Sequence, residues 1–175
     1  MQRRDFLGLV PLAALTGVPV SARAQGRGRG RGQGTQLTPE QRAPVTSTPP
    51  GARDLFVGMY KLVEYAPHGD VPTGRIYYDA TGRMGAMLHQ PDRPRLPENP
   101  TLEDYQASTR GLVAYYGTYD VDPSTGRVVH HIEAASNPAW IGTDFFRWYE
   151  FEGNRLILRT NPSSTSTLVW ERLPD

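Results

Sequence analysis

The sequence predicts an eight-stranded, up-and-down antiparallel β-barrel with one short helix. Three observations point to it. The 175 residues carry 18 Gly and 16 Pro, which place turns at short intervals. Between the turns lie short segments rich in aromatic and β-branched residues, the composition of strands. There is no cysteine to tie an open sheet together, and closing the sheet into a barrel removes its exposed edges without one. A two-sheet sandwich fits the same pattern.

Each element has its own signal. Strands are expected over 57–66, 75–79, 84–90, 113–121, 128–135, 145–151, 156–160 and 167–173. Hairpin chemistry separates several of them: Ala80-Thr81-Gly82, Asp122-Pro123-Ser124-Thr125-Gly126 and Gly153-Asn154. A Pro-rich run from Pro91 to Pro100 reads as a loop. After it, Thr101-Leu102-Glu103-Asp104-Tyr105-Gln106 places a capping hydroxyl before acidic residues, so it opens the helix.

The first 54 residues differ from the rest. Gln2-Arg3-Arg4-Asp5-Phe6-Leu7, an apolar stretch from Leu7 to Val20 and then Ala22-Arg23-Ala24 resemble a twin-arginine export signal over 1–24, cleaved before Gln25. The apolar stretch is shorter than the about 20 residues a permanent membrane span needs, and Gly8, Pro11 and Pro19 interrupt it. The expected location is therefore periplasmic or secreted. Residues 25–54 combine the repeat Gly26-Arg27-Gly28-Arg29-Gly30-Arg31-Gly32 with Pro39, Pro44, Pro49 and Pro50, the composition of a disordered tether. The globular domain is expected over 55–175, with 11 basic against 15 acidic residues. That balance disfavours nucleic acid, which is bound chiefly by neutralising phosphates.

Along the globular part, Gly58-Met59-Tyr60-Lys61-Leu62-Val63, Gly82-Arg83-Met84, Gln90-Pro91-Asp92-Arg93-Pro94, Tyr119-Asp120-Val121-Asp122, His130-His131-Ile132-Glu133, Asn137-Pro138-Ala139-Trp140-Ile141-Gly142-Thr143 and Leu168-Val169-Trp170-Glu171-Arg172 occur in order. The series resembles the bacterial and fungal lipocalin-like domain family. The resemblance implies a calycin-type barrel with an internal cavity and implies no particular reaction. Such barrels usually carry Gly-x-Trp in the first strand with a last-strand arginine across the indole. Here Tyr60 stands at the Trp position and Arg172 is the arginine, a structural pair worth about 0.5–2 kcal/mol.

Alternation assigns the faces of each strand. Phe145, Arg147, Tyr149 and Phe151 fall on the inner face of their strand, because Asp144 and Glu152 flank the other. Arg147 among aromatics then calls for a carboxylate, with Glu64 the candidate, or an anionic ligand; at the rim it is simply solvated. Val128, His130 and Ile132 form the apolar face of theirs, which turns His130 inward and leaves His131 and Glu133 outside. The opposite parity would bring His131 and Glu133 together as a base and its orienter. Tyr77-Tyr78, Tyr115-Tyr116 and Tyr119 split between faces, so phenols reach the interior. Trp140 belongs to a connection at the barrel mouth, as gate or plug. The candidate ligand-binding residues are His130, Arg147, Tyr78, Tyr119, Tyr149, Trp140 and Glu64, and the catalytic candidates His130, His131 and Glu133. No cofactor motif and no metal site is expected, since His68 and His89 lie apart in a turn and at a strand end.

Three functions fit these residues. The first is binding of a small, partly apolar molecule for which Arg147 favours an anionic form. The second is acid–base catalysis of an isomerase, cyclase or lyase type through a barrel histidine. The third is a filled barrel serving structure or protein interaction. The sequence contains neither a Ser-His-Asp arrangement in a recognisable turn nor a phosphate-cradling glycine loop, and binding leads.

Overall fold

A computed structural model describes residues 38–42, 45, 48–66 and 72–174. The expected signal over 1–24, residues 25–37 of the tether, and His68 lie outside the described residues. The eight strands are β1 (Gly58–Ala66), β2 (Thr73–Tyr78), β3 (Arg83–His89), β4 (Leu112–Asp122), β5 (Arg127–Ala135), β6 (Asp144–Glu152), β7 (Arg155–Arg159) and β8 (Thr167–Arg172). Each pairs antiparallel with the next, and β8 pairs with β1 to close the barrel. Every expected strand is found within two residues of its predicted limits. The turn signals are the reason: Gly82, Gly126 and Gly153 all adopt positive φ, the conformation these hairpin turns demand. Helix α1 (Leu102–Thr109) starts at Thr101, whose side chain accepts from the Asp104 N–H while the Asp104 carboxylate accepts from the Thr101 N–H.

Alternation then decides what is buried. Tyr60, Leu62, Ile76, Tyr78, Met84, Tyr119, Val121, Val128, Leu156 and Trp170 pack inside, all under 4% exposed. Tyr77 and Tyr116, the chain neighbours of inward Tyr78 and Tyr115, are exposed. Two β-bulges interrupt the rule. In β1 the register shifts between Leu62 and Glu64, and in β4–β5 Gly117 pairs with Ile132 while Tyr116 pairs with Ala134. Each extra residue flips the parity beyond it.

One end of the barrel is a floor. Phe56, fully buried, enters from the segment before β1 and meets Tyr78, Tyr149 and Phe151 edge-on at 4.9–5.2 Å. The Tyr60 hydroxyl donates to the Phe56 carbonyl at 3.0 Å. The guanidinium of Arg172 lies 4.9 Å from the Tyr60 ring centroid and donates to the carbonyls of Val57 and Leu55, so the anticipated Tyr60–Arg172 pair closes the floor.

The expected tether reaches the barrel earlier than its composition suggests. Arg53 pairs with Asp120 at 2.7 Å, and Thr48 donates to the same carboxylate at 2.7 Å. Arg127, 4% exposed, donates to the Gln41 carbonyl at 2.7 Å and to Asp122 at 3.2 Å. Residues 38–42 and 48–56 therefore form a strap along the barrel. No helix among the described residues is long and apolar enough to cross a membrane.

Candidate ligand-binding site

The interior above the floor is organised around one imidazole. His130 is fully buried, as its apolar flanks Val128 and Ile132 require. The Tyr78 hydroxyl lies 2.9 Å from its Nε2, and the Tyr115 hydroxyl 3.2 Å from its Nδ1. Three strands thus converge: β2 supplies Tyr78, β4 Tyr115 and β5 His130. Burial above all, then the charges of Arg147 and His131, hold the His130 pKa well below the usual imidazole range, and the ring is neutral. Burial likewise pushes both phenols up, Tyr78 far above its ordinary value with Tyr115 adding to the rise.

Arg147 points into the same interior, pairing across β5 with fully buried Val128. Its Cζ lies 5.2 Å from the Phe145 ring centroid, and its Nη1 donates to the Phe146 carbonyl at 2.8 Å. Through its charge and a hydrogen-bonding contact it opposes the rise of the Tyr115 pKa. No carboxylate among the described residues pairs with it. Glu64, the expected partner, is exposed on the outer face. The bulge at Val63 explains the correction, since it sets Glu64 opposite outward-facing Val169 instead of continuing the Tyr60–Leu62 face.

Toward the mouth the lining is apolar and half-buried: Leu88, Val113, Phe145 and Leu168. Trp140 sits in a single 3-10 turn, Pro138–Trp140, capped by the Asn137 side chain. It is 5% exposed, with its ring edge-on to Phe145 at 5.5 Å. It covers one side of the mouth.

The other named residues stand elsewhere. The Tyr119 hydroxyl donates to the Asp79 carbonyl at 2.8 Å; burial pushes its pKa up to about 12 against the pull of Arg53. Tyr149 packs on Phe56, so both tyrosines belong to the floor. His131 lies outside, between Asp144 at 2.7 Å and Asp120 at 3.2 Å, and exposed Glu133 is the bulged residue of β5, so the two form no base-and-orienter pair in the cavity. A surface cleft of about 320 Å³ between β1 and β2, flanked by Lys61 and Arg75, shares no side chain with the His130 network.

Sequence reasoning brought His130, Tyr78 and Arg147 together and missed Tyr115 as a site residue. Its signal was present, because Tyr115 and Tyr119 share a strand face, but pairing it with His130 requires the β4–β5 register. The arrangement donates hydrogen bonds and places one cation in an aromatic interior. It contains no carboxylate base.

A lipocalin-like domain model matches residues 57–173 of this chain. The chain is also 32% identical over 108 residues to a 4'-hydroxy-3'-methoxypropiophenone carrier protein of Aspergillus oryzae, an alignment covering 52% of this chain and 97% of that protein. Barrel, floor pair and family model agree, and the chain belongs to the lipocalin-like domain family.

Proposed function

We propose that this chain is an exported carrier that holds a small aromatic molecule in the barrel, its apolar body in the mouth and an oxygen-bearing head against Arg147, Tyr115 and Tyr78. The observation that carries the reading is Arg147, an inward guanidinium with no carboxylate partner among the described residues. A half-buried guanidinium with no carboxylate beside it is matched by an oxygen acceptor that a ligand brings. The relative that is named as a carrier of a phenolic aryl ketone supports this size and chemistry of ligand. Export rests on the paired arginines, apolar stretch and Ala22-Arg23-Ala24.

The test is a fluorescence titration of the exported protein, recovered from the periplasm and shown by mass spectrometry to start at Gln25, with 4'-hydroxy-3'-methoxypropiophenone as first probe. Saturable quenching of tryptophan emission at a stoichiometry of one is expected. Arg147→Met is expected to weaken binding about 10- to 150-fold, the equivalent of one charged hydrogen bond. Unchanged affinity in that variant would remove Arg147 from the site. Acid–base catalysis is the less favoured reading, because both nitrogens of His130 are already engaged by phenols.

A further inference from the structure

The His130 network holds more polar hydrogens than it has contacts to use them. A neutral imidazole carries one N–H, and two phenols carry one O–H each, so three hydrogens serve two contacts. One phenol donates to the bare ring nitrogen. The other accepts from the ring N–H and keeps its own hydrogen. Among the described residues neither phenol meets an acceptor other than His130. The remaining O–H is therefore a buried donor without an acceptor among the described residues, an arrangement that destabilises the empty site. Beside it stands Arg147, which uses one N–H on the Phe146 carbonyl. The indole N–H of Trp170 is also buried in the core with no acceptor among the described residues. The groups facing His130 are Tyr78 from β2, Tyr115 from β4 and Arg147 from β6; His131 acts on it from the outer face of β5. None of them is a carboxylate. The interior is thus rich in donors and carries one positive charge, and among the described residues the groups facing His130 include no carboxylate, only phenol oxygens, to accept a ligand's own hydrogen.

A neutral phenol suits such a site less well than its anion, because its uncharged oxygen meets the guanidinium and the spare tyrosine O–H more weakly. A phenolate makes both hydrogen bonds charge-assisted and matches the charge of Arg147. We infer that the site takes its ligand as an oxyanion, the deprotonated form of a phenol made acidic by a para-acyl group, with the oxygen between Arg147 and the free tyrosine O–H. This rests on the carrier reading above. In binding, the ligand O–H bond breaks and its proton leaves to the buffer; the electron pair stays on the oxygen. His130 does not take the proton, since it is buried beside a guanidinium. The ring then lies along Leu88, Val113 and Phe145, with the acyl group toward the mouth.

The experiment uses the exported protein, para-hydroxyacetophenone and its O-methyl ether para-methoxyacetophenone, two pH units below the free phenol's pKa. On binding, the phenolate absorption band is expected to appear, with about one proton released per site, measured by calorimetry in two buffers of different ionisation enthalpy. The bound probe's pKa should fall by at least three units, a shift of about a thousandfold or more. The O-methyl ether should bind at least tenfold more weakly. Arg147→Met should abolish the band, while Tyr115→Phe keeps residual binding with a smaller pKa shift; circular dichroism checks that both fold. Binding without the band or the proton, or equal affinity for the ether, would overturn the oxyanion and leave the carrier reading standing. Failure of both probes to bind would overturn the two together.

Discussion

His130 is a side chain whose neutrality the fold enforces, and that has a consequence for stability. The unfolded chain takes up a proton on this ring below about pH 6.5, whereas the folded chain resists it. The unfolded state therefore binds more protons, and stability falls as pH drops from about 6.5 toward the lower folded value. His130→Gln should lose about 1–3 kcal/mol at neutral pH, because one phenol loses its partner, and should flatten the acid dependence in that window. Urea denaturation across a pH series measures both; an undiminished slope would mean another group titrates there. The inward position of His130 was legible from Val128 and Ile132, and that of Arg147 from the acids flanking the opposite face. The unpaired state of Arg147 was not. It depends on Glu64, whose orientation is set by a bulge, and an extra residue in a strand leaves no mark in a pattern of alternating hydrophobicity.

At the scale of elements, the bulge joining β4 and β5 depends on Gly117. A Cβ there would run into the His131 carbonyl and the Glu133 N–H, both backbone atoms of the bulged strand. Backbone cannot swing aside, so Gly117→Ala should cost about 1–3 kcal/mol and disturb the register that carries Tyr115 to His130. Gly85 offers the contrast. Its added Cβ would meet the Tyr77 ring at 2.5 Å, but Tyr77 is 41% exposed and free to turn outward. Gly85→Ala should therefore be the milder variant in a thermal melt, and equal losses would argue that Tyr77 is held in place. Strand limits were readable because Gly and Pro mark the turns. Register was not, since it depends on cross-strand contacts and on bulges that only the closed sheet defines.

For the whole molecule, the strap and the barrel form one unit. Phe56 fills the floor among Tyr78, Tyr119, Tyr149 and Phe151, and Phe56→Ala should cost about 3–5 kcal/mol, the usual penalty for emptying a buried aromatic site. A denaturant midpoint that barely moves would show that the floor closes without it. The strap was hidden in the sequence because its polar, Pro-rich composition resembles a tether. Its hold on the barrel comes from single residues, Thr48, Arg53 and Phe56, with Arg127 reaching back from β5. Closing the floor also sets the order of departure. On the proposed carrier reading, a ligand held by its head beside Arg147 above the closed floor leaves tail first, so a recipient can grip one end before this protein releases the other. Hand-off, rather than escape into water, is the exchange that such a geometry favours.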